Sequence, residues 1–190
     1  MEVQVLKHPT AEDWILCRKC TLATISKDSD KEPSLEWKKK LLAARHSPIR
    51  TLQFCFKITD IPYWVSVHLC RHVHATPFVS TQRNDRQENY DRRKAPQDQP
   101  VTMCWYMNAE ELMVIANKRL CNQASLETQN VVREMCMQVL RLNPEFEDVL
   151  VPMCAYRGGR CDEFNCCGLN EQFKVCDRTG FLSENESGAA

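Results

Sequence analysis

Alternation of apolar and polar residues is clearest between residues 51 and 58. Leu52, Phe54, Phe56 and Ile58 fall on one face of this stretch, and polar residues or cysteine fall between them. A period of two residues predicts a strand with one buried face. Residues 3–6 and 101–106 are shorter apolar stretches that also favour strands.

Four segments have the signals of helices, namely residues 34–45, 63–70, 108–120 and 125–140. Ser34, Asn108 and Ser125 can cap their helices, and Pro62 is compatible with a helical first turn. The third helix is predicted to bury one face, formed by Leu112, Ile115, Ala116 and Leu120. Residues 11–25 are partly apolar but have no clear period.

Residues 81–100 form an extremely polar stretch in which Ala95 is the one aliphatic residue. This composition predicts a loop, and a loop of this length within a compact domain is either functional or mobile. The length of 190 residues is typical of one domain. We predict this domain over residues 1–168, followed by a polar tail over residues 169–190.

Charge and targeting signals exclude several classes of protein. Lysine plus arginine equals aspartate plus glutamate, at 25 each, which disfavours a globally basic nucleic-acid binder. The N-terminus lacks the pattern of a signal peptide, and no stretch reaches the 18 apolar residues of a membrane span. We therefore expect a cytoplasmic protein, whose 12 cysteines are reduced thiols or metal ligands rather than a disulfide framework.

Several arginines lie at the ends of predicted elements or in the polar loop: Arg71, Arg83, Arg86, Arg92, Arg93 and Arg119. The planar guanidinium can donate two parallel hydrogen bonds to a phosphate. Each arginine alone is compatible with a solvated surface charge. Their grouping predicts an anion-binding enzyme of unknown substrate.

The segment Arg71-His72-Val-His-Ala-Thr-Pro-Phe-Val-Ser-Thr81-Gln82-Arg83 resembles the signature of the flavin-dependent thymidylate synthases, R-H-R-x-x-S-x-N-x-x-S-x-R. The order of neighbouring motifs also resembles that family. Ser-Pro-Ile-Arg precedes the strand at 51–58, Arg92 precedes a proline, and Asn-Ala-Glu-Glu-Leu begins at Asn108. The resemblance covers residues 47–140, about half of the chain.

This resemblance implies an α/β (α+β) fold with a mixed or antiparallel sheet packed by helices. It implies a methyltransferase that converts dUMP to dTMP by reductive methylation, with FAD as cofactor and with NADPH and methylenetetrahydrofolate as co-substrates. It also implies a homotetramer whose sites form between subunits. The implied nucleotide-binding residues are His68, Thr81, Gln82, Arg83, Arg92 and Arg119, with Arg119 and Thr81 at the catalytic centre. The implied FAD contacts are Arg71, His72 and Asn108.

Several positions depart from the family pattern, including Val73, Phe78, Val79 and Thr51. The implied nucleotide arginines match better than the implied flavin contacts. Two alternatives therefore stay open. One is the same fold acting on another pyrimidine nucleotide, and the other is a non-catalytic, zinc-stabilised module that binds nucleotides or nucleic acid.

Four cysteines lie close together in the sequence near the C-terminus: Cys154, Cys161, Cys166 and Cys167. Zinc prefers tetrahedral sets of thiolates presented by tight turns, and glycines flank these cysteines. The spacing does not match a standard zinc knuckle. The cluster is therefore compatible with structural zinc, with reduced thiols that pack a small hairpin, or with disulfides.

Overall fold

The structure, a computed structural model, describes residues 1–86 and 90–173. Residues 87–89 of the predicted polar loop and residues 174–190 of the predicted tail lie outside the described residues. Within the described ranges, contacts continue past residue 168, because the Asn170 side chain donates to the Gly159 carbonyl at 3.1 Å. The domain boundary at residue 168 stays a prediction.

Four antiparallel strands form one sheet in the order β1-β2-β4-β3. They are β1 (Glu2–Lys7), β2 (Gln53–Pro62), β3 (Thr76–Val79) and β4 (Pro100–Asn108). The predicted strands β1, β2 and β4 are confirmed. The sequence did not predict β3, which is short, contains Pro77 and lies at the edge of the sheet, where a missing N–H is tolerated.

Six α-helices accompany the sheet within the described residues. They are α1 (Ala11–Ala23), α2 (Leu35–Ala43), α3 (Tyr63–Leu69), α4 (Ala109–Arg119), α5 (Leu126–Leu142) and α6 (Met153–Tyr156). Short 3₁₀ turns lie at Ser47–Thr51, Pro144–Phe146 and Leu169–Phe173. The four predicted helices are confirmed as α2 to α5. Helix α1 begins at a capping box in which Thr10 and Asp13 bond each other's backbone N–H groups.

The core lies between the helices and the face of β2 that the alternation predicted. Phe54, Phe56 and Ile58 are fully buried there, beside Met103 and Trp105 of β4. Helix α5 packs against β1 and α4 packs against β4. Burial of apolar area is the main favourable term in folding, so this single interface fixes where the helices lie. The fold class is α+β, as predicted.

Two direct strand-to-helix junctions position the candidate site. Strand β2 runs without a loop into α3, and β4 runs without a loop into α4. The Asn108 carboxamide oxygen accepts from the Glu111 N–H at 2.9 Å and caps α4 as predicted. Because β2 and β4 are antiparallel neighbours, α3 and α4 begin at opposite ends of the strand pair, and the last turn of α4 contacts the end of α3. Among the described residues, the helices are each too short or too polar to cross a bilayer.

Candidate anion-binding site

Arg119 occupies the last turn of α4 and reaches across to the end of α3. Its Nε donates to His72 Nε2 at 3.0 Å, and its Nη2 donates to the His68 carbonyl oxygen at 3.1 Å. These contacts use two of the five N–H groups of the guanidinium. Arg119 is therefore held in one orientation by two bonds from a neighbouring element.

His72 is the second member of this arrangement. Its side chain is 9% exposed, packs edge-on against Trp105, and has Nδ1 at 3.5 Å from Glu111 Oε1. Since Nε2 accepts a hydrogen bond from Arg119, the proton of the neutral ring lies on Nδ1 and faces the Glu111 carboxylate. Glu111, His72 and Arg119 thus form a chain from carboxylate to imidazole to guanidinium.

The environment of Arg119 favours an anion. Both atoms that accept its hydrogen bonds belong to neutral groups. Burial lowers the pKa of Arg119 below its usual range, and the nearby charge of Arg71 lowers it further. A guanidinium stays protonated in proteins, so this destabilisation of its charged form is relieved by a bound anion rather than by loss of the proton.

A cavity of about 220 Å³ lies beside this guanidinium. Its lining residues are His72, Lys118, Arg119, Cys121, Gln123, Ala124 and Glu163. Lys118 is paired with Glu163 at 2.9 Å. Glu163 thus balances the charge of Lys118 at the cavity wall. Arg119 is the lining cation whose hydrogen bonds, described above, go to groups other than carboxylates.

The nucleotide-binding residues predicted in the polar loop lie elsewhere on the single chain. Arg83 is exposed, and its guanidinium forms a two-pronged pair with Asp85, with Nε at 2.9 Å from Oδ1. Thr81 accepts from the Arg83 N–H at 3.2 Å, Gln82 is half-buried and Arg92 is exposed. None of these four residues lines the cavity beside Arg119. Within one chain, Arg119 therefore meets the predicted residues His68 and His72, whereas the loop residues stay apart.

The predicted flavin contacts are divided between two places. His72 belongs to the Arg119 arrangement, and Arg71 is exposed beside it. Asn108 lines a second cavity, of about 440 Å³, together with Arg50, His74, Glu110, Glu111 and Val114. Arg50 and Glu110 are paired across this second cavity.

The eleven described cysteines are all free thiols. Of the four predicted metal ligands, Cys154, Cys161 and Cys167 line a third cavity, of about 140 Å³, whereas Cys166 is exposed. Across the described ranges, no group of three or more histidine, cysteine, aspartate or glutamate side chains is arranged to hold a metal ion. The zinc site stays a prediction.

Glu111 was not among the predicted site residues, although the sequence carries a signal for it. Glu111, Ile115 and Arg119 are spaced by four residues and therefore share one stripe of α4. Ile115 is fully buried and Glu111 is 5% exposed. A pair of opposite charges on a stripe that is otherwise apolar indicates a buried polar arrangement, although Glu111 also fits the simpler role of an acidic first-turn residue.

No protein-family model matches the chain, and no curated protein sequence matches it. Solved structures are similar to it in fold, and two of them are as follows. One is flavin-dependent thymidylate synthase ThyX from Helicobacter pylori complexed with FAD and dUMP. It is 16% identical, has a TM-score of 0.64, and the match covers 78% of this chain and 99% of that chain.

The other is ThyX from Helicobacter pylori with FAD and dUMP, which is also 16% identical. Its TM-score is 0.62, and the match covers 79% of this chain and 99% of that chain. At this level of identity the likeness establishes the fold. The chain therefore has the α+β fold of these proteins, with its four-stranded antiparallel sheet.

Proposed function

We propose that this chain binds a pyrimidine nucleoside monophosphate, dUMP first of all, with Arg119 as the central cation. The observation that carries the proposal is the Arg119 guanidinium, which is partly desolvated, fixed by two neutral acceptors and directed at a cavity. A cation in this state gains more from an anionic ligand than an exposed arginine does, because solvent screens the attraction less.

The same proposal extends to an enzyme with the activity that the sequence resemblance implies, the reductive methylation of dUMP to dTMP. His68 and Arg119 would hold the nucleotide from α3 and α4. Thr81, Gln82, Arg83 and Arg92 would complete the site from the polar loop of a second copy, in a homotetramer. The shared fold with FAD- and dUMP-complexed structures supports this extension.

FAD, when bound, would supply the redox and one-carbon transfer chemistry with NADPH and methylenetetrahydrofolate. The side chains of the second cavity fit one part of this cofactor. The Asn108 amide and His74 offer polar contacts to a heterocyclic ring edge. The carboxylates of Glu110 and Glu111 line the same cavity, and Arg50 is already paired with Glu110, so this surface suits a flavin ring better than a diphosphate.

Calorimetric titration of dUMP into the purified protein tests the binding proposal. We expect saturable binding that Arg119→Ala abolishes and Arg133→Ala leaves unchanged. Arg133 is a matched control because its guanidinium donates to Asn130 on the surface of α5. Equal affinity of the wild type and Arg119→Ala would reject the site, provided that both variants unfold at the same temperature.

Absorbance spectroscopy and tritium release test the enzymatic part separately. A flavin absorbance band in the purified protein, together with tritium release from labelled dUMP in the presence of NADPH and methylenetetrahydrofolate, is the expected result. Flavin binding without tritium release would favour the same fold acting on another pyrimidine nucleotide. Binding of dUMP without any flavin would leave a nucleotide-binding module and would reject the enzyme.

A further inference from the structure

Helix α4 carries opposite charges in its first and last turns. Glu111 lies in the first turn and is buried, and Arg119 lies in the last turn and is half-buried. Eight residues separate the two, which places their Cα atoms about 12 Å apart along the helix axis. At that separation a third group has to lie between the two side chains if one is to orient the other. His72, which follows α3, lies there and contacts both of them.

The Glu111 carboxylate depends on this imidazole. Glu111 is 5% exposed, and a carboxylate so buried is costly unless a donor or a positive charge meets it. The N-terminal end of α4 supplies partial positive charge, because Glu111 lies in its first turn. Within the described part of the chain, His72 Nδ1 is the side-chain atom in polar contact with the carboxylate, at 3.5 Å from Oε1.

The proton of His72 has two possible positions, and they have opposite effects on Arg119. A neutral imidazole has one donor and one acceptor nitrogen, and the partner of one nitrogen decides the state of the other. With the proton on Nδ1, Nε2 is free to accept from Arg119 Nε, as the distance of 3.0 Å requires. With the proton on Nε2, two N–H groups would face each other and this hydrogen bond would be lost.

Glu111 lies outside the cavity that Arg119 lines. It contributes to the wall of the second cavity, whereas His72 lines the cavity beside Arg119. A ligand in the Arg119 cavity therefore contacts the imidazole and the guanidinium but not the carboxylate. Any effect of Glu111 on the orientation of Arg119 has to pass through His72.

We propose that Glu111 is a positioning residue for the Arg119 site. Its carboxylate holds the proton of His72 on Nδ1, so that Nε2 accepts from Arg119 and fixes the direction of the guanidinium. The consequence for nucleotide binding rests on the proposed function. The position of the proton on His72 does not rest on it and is measured separately.

Nitrogen NMR of the full chain, with isotopically labelled histidine, tests the position of the proton. The two nitrogens of a neutral imidazole give separate signals according to which one carries the proton, and His72→Asn identifies the His72 signals by their loss. We expect the proton on Nδ1 in the wild type at about pH 8.5, well above the usual pKa of an imidazole. Glu111→Ala shifts the proton toward Nε2. Glu111→Gln keeps it on Nδ1, because the carboxamide oxygen still accepts.

Calorimetric titration of dUMP tests the consequence for binding. We expect Glu111→Ala to weaken dUMP binding by about threefold, somewhat less than the value of one hydrogen bond, and Glu111→Gln to restore most of the affinity. Glu127→Ala is the matched control and leaves the affinity unchanged. Glu127 is likewise a glutamate in the first turn of a helix, but it is exposed on α5.

A double-mutant cycle separates positioning from a general structural role. In the His72→Ala background the group through which Glu111 acts is gone, so Glu111→Ala is expected to have no further effect on dUMP affinity. A carboxylate that only stabilised the fold would have the same effect in both backgrounds. An equal loss of affinity in the two backgrounds would therefore overturn the proposal.

The NMR measurement gives outcomes that do not depend on dUMP. A wild-type His72 that carries its proton on Nε2 would overturn the proposal without any variant, and so would a proton that stays on Nδ1 in Glu111→Ala. Absence of dUMP binding in the wild type would instead reject the proposed function. The position of the His72 proton would still decide whether Glu111 orients the imidazole.

Discussion

Arg119 and Arg83 are both predicted to bind the same nucleotide, yet their surroundings are opposite. Arg119 is half-buried between α3 and α4, and its hydrogen bonds go to neutral acceptors. Arg83 lies on the polar loop, its side chain is 60% exposed, and it is paired with Asp85. The first arginine is positioned by tertiary packing, whereas the second is positioned by a residue two places along the chain.

The contrast between the two arginines shows which part of the candidate site is held rigidly by the fold. Orienting Arg119 requires the β2–α3 and β4–α4 junctions, the buried Glu111 and the His72 ring. An exposed pair such as Arg83–Asp85 gains little from its Coulomb attraction in water and can exchange its partner at small cost. Arg119 is thus held in place within one chain, whereas the exposed Arg83–Asp85 pair can exchange for other partners.

The position of Arg119 depends on Asn117, which lies in the last turn of α4. Its amide donates to the carbonyls of Val149 and Val151, the latter at 2.6 Å, and its oxygen accepts from Arg45. We expect Asn117→Ala to lower the free energy of unfolding by about 2–4 kcal/mol, because buried polar groups lose their partners. Urea unfolding measures this change, with exposed Asn122→Ala as a control that is nearly neutral. A change in Asn117→Ala no larger than in the control would mean that this end of α4 is not fixed by packing.

Arg83→Ala tests whether the exposed Arg83 contributes to nucleotide binding in solution. We expect the unfolding temperature of the free protein to stay the same, since the pair with Asp85 is screened by water. If assembly supplies Arg83 to a neighbouring cavity, dUMP affinity falls by about 10- to 100-fold, as for loss of a charge-assisted hydrogen bond. Heat unfolding with and without dUMP measures both effects. The exposed Arg86→Ala is the control, and equal dUMP protection in the wild type and Arg83→Ala would confine the site to one chain.

His72→Ala separates the effect of orienting the Arg119 guanidinium from the effect of its charge. Arg119 keeps its cation but loses the imidazole acceptor that orients Nε, so we expect dUMP affinity to fall by about fivefold, the value of one hydrogen bond. His72→Asn, which restores an acceptor, should recover part of the loss. Calorimetry measures the affinities, and the exposed His46→Ala serves as the control. Full affinity in His72→Ala would show that the ring does not orient Arg119.

The same contrast between buried and exposed side chains applies to the cysteines, and thiol labelling measures it. Burial raises the pKa of Cys136 to about 12, so its reactive thiolate is scarce at pH 8 and stays scarce at pH 9. We expect iodoacetamide to modify the exposed Cys166 in the folded protein and to spare Cys136 until denaturant is added. Mass spectrometry follows both sites. Rapid labelling of Cys136 without denaturant would mean that α5 opens locally.

Much of the secondary structure could be predicted because its causes are local. The alternation at residues 51–58 and the caps at Ser34 and Asn108 depend on neighbours a few positions away, and the structure confirms them. Strand β3 escaped prediction because four residues containing a proline carry almost no periodic signal. Its place in the sheet comes from pairing with β4, more than twenty residues further along.

The candidate site divides in the same way. The sequence by itself determined which residue types are present: the arginines, the Arg71-His72 pair and the cysteines near the C-terminus. Only the tertiary structure decided that Arg119 meets His72, that Glu111 lies behind that ring, and that Cys121 lines the same cavity as Cys167. The physical reason is that these contacts join residues 39 to 47 positions apart. Side chains so distant come together when burial of the apolar core fixes the helices on the sheet, and no local pattern records that contact.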